Sequence, residues 1–186
     1  MIETEQTIAI SAPIGSVWNH VQDIRAWARL MPGYRDCTIV DAHESRWTLK
    51  VGVGGMVRTV QVLVHVDRWD GPGRVDFSFS LEGDPVAGTG TYCASSLGPG
   101  RTEVRLKVEV AGRGPMAPMW EAMGKPILPR LAKAFADQLK AEIEKAGDAP
   151  ALHAVPTAAQ SWLRTIAGRL FDYFRAAFGP VPQRPI

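Results

Sequence analysis

VRTVQVLVHVDRWD, Val57 to Asp70, is the stretch whose reading decides the fold. Val60, Val62, Val64 and Val66 alternate with Gln61, Leu63 and His65. That period of two is expected of an antiparallel strand with one face turned inward. Working outward, turn signals set off further candidate strands at Cys37 to Asp41, Trp47 to Val53, Val75 to Leu81, Gly88 to Ser96 and Thr102 to Val110. The last of these sets Val104, Leu106, Val108 and Val110 inward against Arg105, Lys107 and Glu109. GVGG, DGPG, EGDP and LGPG punctuate the series with good turn chemistry. Glu3 to Ile10 alternates as well and supplies a first strand.

Two segments break the strand period. SAPIGSVWNHVQD repeats Ile14, Val17, Trp18 and Val21 at helical spacing, with Ser11 as the expected N-cap and Pro13 in the first turn. A second short helix, IRAWARLM, stops at Pro32-Gly33. After GRGP the helical stripe returns through Met116, Met119, Trp120, Met123, Ile127, Leu131, Phe135, Leu139 and Ile143. Gly124, Pro126 and Pro129 should break or kink it near its start. The order is strand, two short helices, six antiparallel strands, long helix. A sheet of seven strands curls, and only the long helix is available to cover its concave face. The fold class is therefore α+β, with an apolar cavity expected between sheet and helix.

The charge supports a second division. The 186 residues carry a formal +2, too little to point to nucleic acid. From Ala151 onward four arginines face one aspartate, a net +3, which leaves −1 on the first 150 residues. The two cysteines, Cys37 and Cys93, fall in predicted strands without metal-site spacing, and MIETEQTIAI lacks the basic flank and apolar run of a signal peptide. The pattern reads as a reduced cytoplasmic protein.

No catalytic constellation emerges, and no cofactor or metal site. His20, His43, His65 and His153 are scattered, with no i, i+4 pair. GVGG lies between two strands and not before a helix N-terminus, so it reads as a hairpin turn, not a phosphate cradle. Ser95 and Ser96 have no visible base. Met116, Met119 and Met123, beside Trp120, allow two readings: plain core packing, or a pocket lining that accepts a flexible apolar ligand. Under the second, Ile127 and the pair Phe77 and Phe79 join the lining, although the face those two phenylalanines take stays open. A first segment broken at Gly124 and Pro126 would then serve as a lid.

Four stretches together resemble the CoxG family, CO dehydrogenase accessory proteins of the SRPBCC, or START-like, helix-grip superfamily. They are APIGSVWNHVQD, LMPGYRDCTIVD, LKVGVGGMVRTVQVLVHV and AGTGTYCASSLGPGRTEVRLKVEVAGRG, within a region from Ile2 to Lys145. The resemblance implies a helix-grip fold: a curved seven-stranded antiparallel sheet wrapped around a long C-terminal helix, with two short helices. It further implies a non-enzymatic accessory protein for a molybdenum, CO-dehydrogenase-type oxidoreductase. In that role it would carry an isoprenoid quinone, menaquinone or ubiquinone, as a bound and not a covalent ligand. A lipid-transfer protein or membrane tether for the same oxidoreductase, and a cyclase or aromatase, stand as alternatives.

DAPALHAVPTAAQ has no periodicity and reads as a linker, giving a ligand-binding domain over 1–146, a linker over 147–160 and a tail helix over 161–179. On a wheel of about 100° per residue the tail separates cleanly. Trp162, Leu163, Ile166, Leu170, Phe171, Phe174 and Phe178 share one half, while Arg164, Arg169 and Arg175 fall on the other. As a helix it would be about 28 Å long, but each arginine at mid-bilayer costs about 2.5–3.5 kcal/mol, which disfavours spanning. Lying in the headgroup region suits it better. A groove on a partner protein, or the chain's own domain, are the other surfaces it could cover. The expected location is cytoplasmic and peripheral, on the inner face of the cell membrane.

Overall fold

A computed structural model describes residues 1–53 and 56–148. Gly54 and Gly55 of the expected hairpin turn, the linker from 149 onward and the tail helix over 161–179 lie outside the described residues. Seven strands run in chain order: β1 Ile2–Ile10, β2 Tyr34–Ile39, β3 Glu44–Val53, β4 Met56–Asp70, β5 Arg74–Leu81, β6 Val86–Gly98 and β7 Arg101–Gly112. They form one antiparallel sheet in the order β1-β7-β6-β5-β4-β3-β2. Six consecutive strands thus make a meander, and the N-terminal strand returns to pair with the last.

The alternation of β4 places Val62, Val64 and Val66 inside, each under a tenth exposed. Val104 and Leu106 of β7 are buried in the same core. Register shifts between Val66 and Arg68 in β4 and between Ser96 and Gly98 in β6 mark bulges, which bend a strand and add local twist. The sheet therefore curls around its apolar face.

Helices α1 (Ile14–Val21) and α2 (Ile24–Arg29) fill the connection from β1 to β2. The start of α1 differs from the sequence expectation. Pro13 occupies the N-cap position with no side-chain cap, and Ser11 lies two residues upstream. The Ser11 backbone N–H instead donates to Glu144 Oε1 at 2.8 Å. Asp23 does cap α2, accepting from the N–H groups of Arg25 at 2.9 Å and Ala26 at 3.2 Å.

The C-terminal helical stripe is interrupted where Gly124 and Pro126 predict. Helix α3 spans Ala117–Gly124 and α4 spans Leu128–Asp148, with Pro129 accommodated in the first turn of α4. The two helices differ in what they bury. The far half of α4 inserts Phe135, Ala136, Leu139 and Ile143 into the core, whereas α3 buries no residue. Polar ties fix α4 to the sheet: Lys140 Nζ donates to the Ala9 carbonyl at 2.8 Å, and Glu144 holds Ser11. Helix α3 approaches β7 closely only because Gly112 lacks a side chain. A Cβ there would stand 2.8 Å from Ala117 Cα.

Candidate functional site

Where α4 stops filling the concave face, a cavity of about 310 Å³ remains. Its sheet wall carries Leu49, Val62, Val64, Phe77, Phe79 and Leu106, and its helical wall Trp27, Trp120, Met123, Ile127, Leu131 and Phe135. Trp27, from α2, anchors one end. It packs edge-on against Phe77 (centroids 5.9 Å apart), Tyr92 (5.9 Å) and Phe135 (5.6 Å), a geometry aromatic rings favour.

Phe77 and Phe79 owe their positions to the strand opposite. Register pairs Phe77 with Gly90 and Phe79 with Gly88 on β6. A Cβ on Gly90 would meet Phe77 Cζ at 2.2 Å, and one on Gly88 would meet Phe79 Cζ at 2.4 Å. The outer end of each ring lies over a bare glycine of the neighbouring strand, and both rings line the cavity. This settles the face on which both phenylalanines sit.

Polar groups on the lining are few, and its polar side chains from β6, β7 and α3 are already engaged. Thr91 Oγ1 donates to Asp76 at 3.0 Å, Lys107 Nζ pairs with Glu109 at 2.7 Å, and Glu121 is ion-paired with the N-terminal amine. Two buried donors near the Trp27 end have no partner among the described residues, Trp27 Nε1 and Tyr92 OH. Burial pushes the Tyr92 phenol well above its ordinary range. Among the described residues no group of three metal-ligating side chains occurs. Such a lining offers shape and apolar surface, and its size falls at the small end of ligand pockets, about 300–1,000 Å³.

Of the residues singled out from sequence, Phe77, Phe79, Trp120, Met123 and Ile127 come together on the lining. Met116 and Met119 do not. They are 52% and 43% exposed and point away from the cavity. Met116 sits at the N-cap of α3, before the helical turn that its spacing presumes. Met119 is one residue, about 100°, off the Trp120–Met123 face. Trp27, Trp47, Trp69 and the seats of the two phenylalanines are among the lining features that the sequence does not announce. A six-residue helix shows too little periodicity to orient Trp27, and the Phe–Gly pairing needs the register.

Away from the cavity, His43 and His65 stack with centroids 6.0 Å apart, brought together by the pairing of β3 with β4. His43 Nδ1 lies 2.9 Å from the Val66 carbonyl, so the pair has an ordinary structural setting. Cys37 and Cys93 are free thiols, and burial pushes that of Cys37 up. Among the described residues no helix is long and apolar enough to cross a membrane.

A curved antiparallel sheet closed by a C-terminal helix around an apolar space defines a helix-grip container. Residues 1–144 match the family model described as polyketide cyclase / dehydrase and lipid transport, and the chain belongs to that family. No curated protein matches its sequence. Among solved structures, a conserved protein from Geobacillus kaustophilus superposes with a TM-score of 0.68 at 16% identity, over 78% of this chain and 97% of that one. The ZhuI aromatase/cyclase from Streptomyces sp. R1128 gives 0.60 at 20% identity, over 80% and 96%. A START superfamily protein from Mycobacterium smegmatis gives 0.60 at 15% identity, over 77% and 98%. At these identities the likeness is one of fold.

Proposed function

We propose that the protein is a non-enzymatic carrier that takes up a large apolar molecule and shields it from water. The observation that carries this reading is the lining itself, apolar almost throughout, with Thr91, Lys107 and Glu121 committed to partners elsewhere. Burying apolar ligand surface is worth about 25 cal/mol per Å², so such a cavity can hold its cargo without directional bonds. The resemblance to the CoxG family narrows the cargo to an isoprenoid quinone and the recipient to a molybdenum, CO-dehydrogenase-type oxidoreductase. The small volume then suggests that the quinone ring and the first part of its chain enter, while the rest extends past the rim. In this reading the basic amphipathic segment over 161–179 keeps the carrier at the inner face of the cell membrane.

The test is optical. Trp27, Trp47, Trp69 and Trp120 line the cavity, and a quinone close to an indole quenches its emission. Titration with a short-chain menaquinone should quench saturably at one equivalent. No quenching, or quenching that rises linearly without saturation, overturns the quinone reading. A lipid-transfer or tethering role would then gain weight, tested by phospholipid exchange between vesicles.

A cyclase or aromatase reading draws support from two observations. The family description includes cyclases, and the ZhuI aromatase/cyclase shares the fold. Trp27 Nε1, unpartnered among the described residues, is the polar group of the lining that such an enzyme would have to recruit. Ring closure of a polyketide-like chain by the purified protein would establish it. Loss of that activity in Trp27→Phe, which removes the unpartnered donor on the lining, would place it in this cavity.

A further inference from the structure

Helix α3 turns one face to the cavity and the other to solvent, with Met123 on the border between them. Trp120, Met123 and Gly124 line the interior. Outside, Met116, Pro118, Met119, Ala122 and Met123 are exposed in one run. Apart from Met1, the other large exposed apolar side chains among the described residues, Val40, Val57 and Leu97, lie singly on the sheet or its turns, as scattered surface residues ordinarily do. A methionine ridge on a helix that buries nothing is different, because unbranched thioethers adapt to soft and irregular surfaces.

Charge indicates what covers the ridge. Arg113, Lys125 and Arg130 flank it, all exposed, and none has a carboxylate partner among the described residues. Glu121 is the one acidic residue between Arg113 and Ala134, and it is already neutralised by the N-terminal amine. An apolar strip bounded by uncompensated cations is complementary to a bilayer with anionic headgroups.

We propose that the outer face of α3, with Met116, Met119 and Met123 as its apolar ridge and Arg113, Lys125 and Arg130 as its cationic rim, docks on an anionic lipid surface. The cavity rim then meets the bilayer directly. This rests in part on the carrier reading: a cargo leaving beneath α3 passes from cavity to lipid without crossing water. The contact is separate from any made by residues 161–179 and sits beside the cavity. Each cation at an anionic surface favours the bound state by about 5-fold, so the three together are worth roughly 100-fold in partitioning.

Hydrogen exchange on the full chain tests it, because that readout separates α3 from the C-terminal segment. Peptides covering 113–127 should exchange more slowly with vesicles of equal phosphatidylglycerol and phosphatidylcholine than with phosphatidylcholine alone. In the surface variant Met116→Asp/Met119→Asp the slowing should vanish, with the melting temperature retained. In Arg113→Gln/Lys125→Gln/Arg130→Gln the lipid needed for half-maximal slowing should rise by one to two orders of magnitude. Unchanged exchange over 113–127 on anionic vesicles, whether or not peptides beyond residue 160 slow, overturns the proposal. So does slowing that persists in the aspartate variant. Quinone titration on the same preparation keeps the two readings apart. Protection of α3 without quinone binding removes the carrier and leaves the docking face, and the reverse outcome removes only the docking face.

Discussion

Gly90→Ala probes how the cavity is kept open. The new Cβ would stand 2.2, 2.6 and 2.8 Å from three carbons of the Phe77 ring. Ordinary contact begins near 3.4 Å, so the ring must retreat by about 1.2 Å from its nearest atom. Its retreat is toward the cavity and the Trp27 edge contact at 5.9 Å, since β6 lies beneath it. Overpacking of this kind costs about 1–3 kcal/mol, and relief of the glycine's conformational entropy returns about 0.5–1 kcal/mol. A net loss of about 1–2 kcal/mol corresponds to a melting shift of roughly 2–8 °C for a domain of this size. Ligand affinity should fall about tenfold, the equivalent of about 1.4 kcal/mol, as the ring occupies cargo space. The assay pairs thermal melting with tryptophan quenching by short-chain menaquinone. Gly90→Ala/Phe77→Leu should recover most of the stability, because leucine vacates the contested position. Wild-type stability and affinity in Gly90→Ala would refute the claim that Phe77 rests on that glycine.

Three other outcomes follow from particular groups. Tyr92 OH is fully buried without a partner among the described residues, so Tyr92→Phe should stabilise the protein by about 1 kcal/mol, read as a raised urea midpoint with an unchanged slope. The Ser11 N–H, donating at 2.8 Å, holds the Glu144 carboxylate below the ordinary glutamate range, with Lys140 assisting. Its contribution is therefore complete above that ordinary range and disappears as pH falls through the lowered value. Glu144→Gln should flatten that part of the acid limb measured by urea unfolding between pH 6 and 3, an interval of about three units around the glutamate pKa. Deleting 161–186 should lower co-sedimentation with anionic vesicles at least tenfold, as removal of one of two linked contacts does, with the melting temperature unchanged.

Much of the fold is legible because the sheet writes a period of two into the chain. All seven strands follow from alternation or from the turn residues between them; the structure lengthens most of their ends by a few residues, while β2 stops at Ile39, short of the expected Asp41. The break between α3 and α4 is legible for a local reason, as Gly124 and Pro126 oppose a continuous helix. Ser11 misleads because a capping residue type does not say where the backbone turns. The chain turns at Pro13, and the Ser11 N–H is used by Glu144, 133 residues away. Met116 and Met119 are misplaced by a single wheel drawn through a segment whose first residue is not helical. The glycine seats of Phe77 and Phe79 depend on partners 13 and 9 residues distant across a hairpin, so no local pattern announces them. The cavity can be foreseen as a class of space, while its size and the role of Trp27 require the packed structure.

The most direct test of the account is the mass of the gently purified full-length protein under native conditions, followed by solvent extraction of what it carries. The account predicts a complex heavier than the chain by one apolar molecule, identified on extraction as an isoprenoid quinone and restored to the emptied protein by added menaquinone. A protein that is empty as isolated and stays empty with menaquinone in excess would contradict it.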